Sequence, residues 1–288
     1  MDRCTREDAN LLCDVVGVLV AAHAPLTADI ICGVLGIRAG DWNFALRHLA
    51  EYLTIIQNEE DGTRETLHRI YHESFADFLR AKVAINRQEL SDRLADYCLK
   101  WSQLPSGCGR DYALRFAARH LYESRRTQDL EALLLDEGFL RAREAAGQIR
   151  EYAEDAGLLP GWSAWPLWLS PNLPADLVAS LLTVMWKMPD IPVPDAARFP
   201  PDGLKINEKG LSKAIWVGIY RPSGERQETY FWNLMEIAAR AKSYGLLREL
   251  ATAREHRLGY YQTTDIDKLM EEVAGGAEYW LQQLEGLK

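Results

Sequence analysis

The sequence predicts a mainly α-helical chain, and three observations carry that expectation. Apolar residues recur every third or fourth position through most of the first 158 residues, the period of one helix face. Strand-like alternation is confined to a short stretch near residues 53–71. At 48% hydrophobic and 26% charged, the 288-residue chain has the composition of a packed globular protein.

The elements follow in order. Residues 10–24 read as a helix, ended by the Pro25 that follows Ala24. Thr27 caps a second helix, Ala28 to Leu35, with Asp29 in its positive first turn, and Gly36 and the Ala39-Gly40 pair close it. Asp41 then caps a third helix, Trp42 to Tyr52, with Phe44 or Ala45, Leu49 and Tyr52 at helical spacing. The β-branched run Leu53 to Ile56 is a strand, and Asp61-Gly62 is a two-residue hairpin turn, because both residues tolerate positive φ. The return strand, Thr66 to Tyr71, sets Leu67, Arg69 and Tyr71 on one face against His68 and Ile70. Three short helices followed by a hairpin is the order of a winged helix-turn-helix, assigned to residues 1–80.

Residues 81–158 read as a helical arm. Phe75, Phe78 and Leu79 begin an apolar stripe that Leu90, Leu94, Tyr97 and Leu99 continue, and Gly107-Cys108-Gly109 breaks it. Asp111 to Glu123 is the next helix, with Ala113, Phe116, Ala117 and Leu121 on one stripe. Leu130, Leu133 and Leu134 mark another, followed by a helix from Phe139 to Tyr152. Consecutive helix pairs of this length suggest tetratricopeptide-like stacking, although no 34-residue period is evident.

Nine of the twelve prolines fall in residues 159–201, a connecting segment rather than continuous helix. It also carries Trp162, Trp165 and Trp168 at every third residue, and an apolar helix from Leu177 to Trp186. So many indoles must dock on something. Packing onto the chain's own helices is the favoured reading, and Trp162, Trp165, Trp168, Trp186 and Trp216 are the candidates for a partner surface. Residues 202–288 read as a small α+β or mainly helical C-terminal unit. Ala214 to Tyr220 is its strand, Pro222-Ser223-Gly224 a turn, and Phe231–Lys242, Leu246–Arg254 and Ile266–Leu284 its helices. Twelve basic residues there stand against thirteen acidic ones.

The net charge is −9, and residues 1–80 hold seven Arg and no Lys against thirteen Asp plus Glu. Such a segment repels a phosphate backbone, because nucleic-acid affinity comes mostly from cations that displace counterions. The third helix carries Arg47 and His48 but also Asp41 and Glu51, and the hairpin tip is Glu59-Glu60-Asp61, where DNA-reading winged helices place cations. Arg110, Arg115, Arg119, Arg125 and Arg126 in the arm are interleaved with acids and read as a solvated face. No apolar run reaches the roughly 18 residues a membrane span needs. The mixed charged start, Asp2 to Asp8, has no signal-peptide pattern. Five cysteines without a C-x-x-C pair read as reduced, structural thiols, so a cytoplasmic location is expected.

The passage Leu67-His68-Arg69-Ile70-Tyr71-His72-Glu73-Ser74-Phe75-Ala76-Asp77-Phe78-Leu79 follows the segment Leu49-Ala50-Glu51-Tyr52-Leu53. Downstream lie Leu94-Ala95-Asp96-Tyr97-Cys98-Leu99-Lys100-Trp101 and Tyr112-Ala113-Leu114-Arg115-Phe116-Ala117-Ala118-Arg119-His120-Leu121. Over about residues 8–155 this resembles the winged helix and following arm of STAND-class signalling NTPases, the NACHT and NB-ARC relatives. The resemblance implies a molecular switch of the kind found in defence and stress signalling. It also implies that a winged-helix histidine, here His72, contacts a bound nucleotide's phosphates. The sequence has no G-x-x-x-x-G-K-[ST] string and no acidic strand end to hold Mg²⁺ beside it. His72 is therefore expected to sense a nucleotide only if a partner supplies one, and otherwise to be a partly buried residue at a strand-to-helix junction.

Other chemistry finds little footing. His72-Glu73 starts a zinc-protease string, but position 76 is Ala. The six histidines are scattered and no cysteines pair, so no metal and no cofactor is expected. His68 and His72 sit too far apart on a strand to share a ligand. Ser74 lacks a G-x-S-x-G elbow. Asp265 and Asp267 read more simply as a helix start, and with His256 they are the candidates if the C-terminal unit is an unfamiliar enzyme. The expectation is thus a non-catalytic adaptor or regulatory protein, with another protein as its partner and no membrane. The alternative is a nucleic-acid-binding winged-helix transcriptional regulator.

Overall fold

The computed structural model describes residues 5–60, 63–72, 77, 87–159, 165–187 and 204–218, with helical and turn positions at 233–234, 237–238, 240–243 and 245–250. It is mainly helical with one small three-stranded sheet, and it divides into two compact units, Met1–Leu134 and Leu135–Lys288.

The first unit opens with α1 (Arg6–Ala21), started by a reciprocal cap in which Thr5 Oγ1 accepts the Asp8 N–H at 3.1 Å and Asp8 Oδ2 accepts the Thr5 N–H at 2.8 Å. A four-residue link leads to β1 (Leu26–Thr27) and α2 (Ala28–Leu35), which Thr27 caps by accepting the Ile30 N–H at 3.3 Å. The predicted bounds of α2 and its end at Gly36 are those observed. The next helix differs. Ala39-Gly40, expected to close α2, begin α3 (Ala39–Leu49) instead, and Asp41 is not its N-cap but lies in the first turn, accepting the Arg38 N–H at 3.0 Å. One 3-10 turn, Ala50–Tyr52, then leads into the hairpin.

Strands β2 (Leu53–Glu60) and β3 (Thr63–Ile70) pair antiparallel from Leu53 with Ile70 to Glu60 with Thr63, and β1 adds to the other side of β3, giving the order β1-β3-β2. The Asp61-Gly62 turn lies outside the described residues. Period-two alternation appears as expected: His68 and Ile70 are buried, whereas Arg69 and Tyr71 are exposed. Leu26, Ile30, Ile31, Val18 and Trp42 fill the space between sheet and helices.

Helix α4 (Arg87–Cys98) packs on α1 and α2, and α5 (Cys108–Glu123) packs on α4, with α6 (Thr127–Leu134) following it. The predicted stripe Ala113, Phe116, Ala117 and Leu121 is buried, as are Leu130, Leu133 and Leu134. The Phe75, Phe78 and Leu79 positions lie outside the described residues. Arg126, read as part of a solvated face, pairs with Asp96 and, at 2.7 Å, with Asp129.

In the second unit the single helix expected from Phe139 to Tyr152 is two, α7 (Glu137–Ala145) and α8 (Ile149–Ala156). The break falls at Gly147, whose φ of 69° lies in the left-handed region that a residue with a Cβ adopts at a cost. After α9 (Trp165–Trp168) comes α10 (Ala175–Lys187), which contains the predicted apolar helix, and then α11 (Glu208–Gly218). The expected strand from Ala214 to Tyr220 is not formed: residues up to Gly218 are the end of α11, and 219–220 lie outside the described residues.

The reason is packing. Buried Asn207 starts α11, accepting the Gly210 N–H at 2.9 Å through Oδ1 while its Nδ2 donates to the Ser170 and Leu173 carbonyls. Gly210 lets α11 approach α10: a Cβ there would stand 2.6 Å from Val178 Cβ. Leu211, Ala214 and Ile215 then fall on the buried face at helical spacing. The turn at Pro222-Ser223-Gly224 and the helix Ile266–Leu284 lie outside the described residues. Within the predicted helices 231–242 and 246–254, described positions 233–234, 237–238, 240 and 246–250 are helical, whereas 241–242 form a turn.

Candidate functional site

Helix α5 places Tyr112, Phe116 and His120 four residues apart and Glu123 three further on, so all four share one face. The link between α1 and β1 lays His23 across that face. Its ring stacks on Phe116 at 5.7 Å between centroids and lies 4.8 Å from the His120 ring. The Tyr112 hydroxyl joins the two: it accepts the His23 backbone N–H at 3.4 Å and hydrogen-bonds His120 Nε2 at 2.8 Å. Burial pushes the Tyr112 phenol well above its ordinary value of 10, so it stays neutral.

Glu123 completes the group from the last turn of α5. Its Oε2 accepts from Ser91 Oγ of α4 at 3.1 Å and lies 3.6 Å from His23 Nε2. His120 is fully buried, while the side chains of His23 and Glu123 keep 22% and 23% exposure, so one side of the cluster meets solvent. A donor atom from each of His23, His120 and Glu123 lies within 4.8 Å of the others, the one such set of three among the described residues. Two imidazoles and a carboxylate form a donor set suited to transition metals, or to proton exchange between neighbours.

Sequence reasoning passed over this cluster because its members come from positions 23 and 120–123, with no local pattern joining them. Only the His120-x-x-Glu123 spacing was legible.

The predicted site residues are distributed differently. His72 is exposed just past the end of β3, not partly buried as its structural reading expected. Trp168 is fully buried within the second unit, which agrees with packing on the chain's own helices and removes it as a partner anchor. Trp165, Trp186 and Trp216 lie on α9, α10 and α11, but their side chains lie outside the described residues, as do Trp162, His256, Asp265 and Asp267 altogether.

A second buried histidine has a different character. His68 is 3% exposed, with Trp42 edge-on at 4.9 Å. Burial lowers its pKa from 6.5, and a hydrogen bond to the Leu26 backbone acts the other way. A histidine with a lowered folded pKa binds its proton more readily when unfolded, so stability rises with pH. Its contribution is complete above the unfolded value of 6.5 and is lost as pH falls from there toward the folded value. The slope in that window is at most about 1.4 kcal/mol per pH unit. Urea midpoints at pH 7.5 and 5.5 (pH values of roughly one unit to each side) are expected to fall further for the wild type than for His68→Gln. Parallel falls would assign the acid sensitivity elsewhere.

Comparison with known proteins returns no match to a family model, to a curated protein or to a solved structure. None of the described helices is long and apolar enough to cross a membrane.

Proposed function

We propose that the chain is a non-catalytic adaptor or regulatory protein that works through protein–protein contact. Residues 1–80 are its winged-helix-like module, and over their described part the order α1-β1-α2-α3-β2-β3 with sheet order β1-β3-β2 supports that reading. Residues 81–158 belong to the same proposal as a tetratricopeptide-like arm. The STAND-like resemblance adds a role in defence or stress signalling by analogy. Within it, exposed His72 meets a nucleotide only where a partner brings one.

The observation that carries protein contact is the exposed tyrosine pair at the open end of the hairpin. Tyr52, Ile55 and Tyr71 are 47%, 51% and 68% exposed. Tyr52 and Tyr71 are neighbours at the open end of the hairpin, where the Tyr71 N–H donates to the Tyr52 carbonyl at 2.8 Å, whereas Ile55, opposite His68, is exposed on the other face. Two exposed tyrosines side by side suit a protein surface. The helix that would read DNA is poorly furnished: Trp42 is buried, Arg47 Nε donates to the Asn43 carbonyl, and His48 Nδ1 lies 2.9 Å from the Phe44 carbonyl.

The test is affinity capture from source-cell lysate with the tagged full-length chain, with and without nuclease. The Tyr52→Ser, Tyr71→Ser double variant runs alongside. A nuclease-resistant protein held by the wild type and lost by the variant is the expected result. Recovery that depends on nucleic acid would replace this reading with the winged-helix transcriptional regulator.

A further inference from the structure

The geometry points to a binding site for one divalent transition-metal ion of the zinc class, held by His23, His120 and Glu123. It stands independently of the proposed partner contact. The first argument is a distance. His23 Nε2 is buried and makes no hydrogen bond, yet it stops 3.6 Å from Glu123 Oε2. A direct charge-assisted bond would bring those atoms to about 2.8 Å. Two ligands of a tetrahedral ion with bonds near 2.1 Å stand about 3.4 Å apart, close to the 3.6 Å of this one pair. With all three donors within 4.8 Å, small side-chain rotations close the set.

The second argument is support. His120 and Glu123 project from one face of a 16-residue helix, so their relative placement is fixed by the backbone. Tyr112 holds the His120 ring through Nε2, and the Ser91 hydroxyl holds the Glu123 carboxylate. Those are the outer hydrogen bonds that orient metal ligands and make them better donors. His23, on the short link after α1, is the member that adjusts. Two neutral imidazoles with one carboxylate favour zinc or a neighbouring transition ion over magnesium or calcium, which prefer all-oxygen sets.

The third argument is access. Three protein ligands leave a fourth position, and the exposed quarter of His23 and Glu123 supplies the route by which an ion enters and a water completes its shell. The ion would tie the link after α1 to α5 across most of the first unit's sequence, and through Ser91 to α4 as well. Its place is therefore that of a clip on the fold, available to metal supply as a control.

The experiment uses tag-free full-length protein, first assayed for bound metal as purified, then stripped with chelator. Zn²⁺ alone is titrated in competition with a chromophoric chelator, and Co²⁺ alone is followed by its visible absorption. His23→Gln and Glu123→Gln are run beside the wild type, with His48→Gln on α3 as control; far-UV circular dichroism confirms that each is folded. Expected are one Zn²⁺ per chain, four-coordinate Co²⁺ bands, a raised melting temperature with Zn²⁺, and affinity at least about tenfold weaker in both site variants. Folded wild type that takes up neither ion overturns the proposal. So does one-to-one binding that survives either site substitution.

Discussion

Asp155→Ala is expected to destabilise the second unit by about 3–5 kcal/mol, a large part of the stability of an ordinary domain. Arg143 and Asp155 are 0% and 2% exposed, and Arg143 Nη1 donates to Asp155 Oδ2 at 3.0 Å. Burial lowers the Arg143 pKa from its ordinary value, and Asp155 acts against that. The guanidinium stays charged, so removing the carboxylate leaves a cation in the core. Glu151, one turn earlier on α8, also favours the charge, but it is half-buried and a weaker substitute. The ring of Phe139, 5.6 Å below the guanidinium, offers a smaller attraction. Removing both charges is a different experiment. Arg143→Met with Asp155→Leu relieves the desolvation of two ions and is expected to lie within about 1–2 kcal/mol of the wild type. Chemical unfolding of the two singles and the double gives the coupling directly. Additive losses would mean that the pair is hydrated and contributes as a surface bridge does.

That pair shows where sequence reading stops. The helices around it were legible from apolar spacing, as α2, α5 and α6 were, because periodicity reports which face of a local element is buried. The break between α7 and α8 was missed because the apolar stripe runs through Gly147, and a positive φ leaves no mark on hydrophobic spacing. The false strand at 214–220 came from a window that began too late. Taken from Asn207, the same residues give a cap, a glycine at the close approach and a 3.6-residue stripe. The His23–His120–Glu123 cluster was out of reach for another reason. Joining position 23 to positions 120–123 requires knowing that α4 packs on α1 and α5 on α4, and no local pattern encodes that. The burial of Trp168 agrees with one of the two readings its indole left open, packing onto the chain's own helices instead of a partner.

Trp168→Ala is accordingly expected to cost about 3–5 kcal/mol, as a loss of stability rather than of binding. Trp168 is fully buried, with the Tyr152 ring 6.2 Å away, and Tyr152 in turn lies 6.4 Å from Phe139. Burial pushes the Tyr152 phenol far above its ordinary range, and a hydrogen bond with Trp168 works against the shift. An alanine therefore removes the largest side chain of an aromatic row and a polar contact together. Trp168→Phe keeps the row while losing the indole N–H, and its loss should be clearly smaller. Differential scanning calorimetry is the suitable measurement, since two compact units need not unfold in one transition. A variant that melts like the wild type but no longer captures a protein would return Trp168 to the list of partner anchors. The reverse, a lowered transition with capture intact, separates the packing role of this tryptophan from the contact surface proposed at Tyr52 and Tyr71.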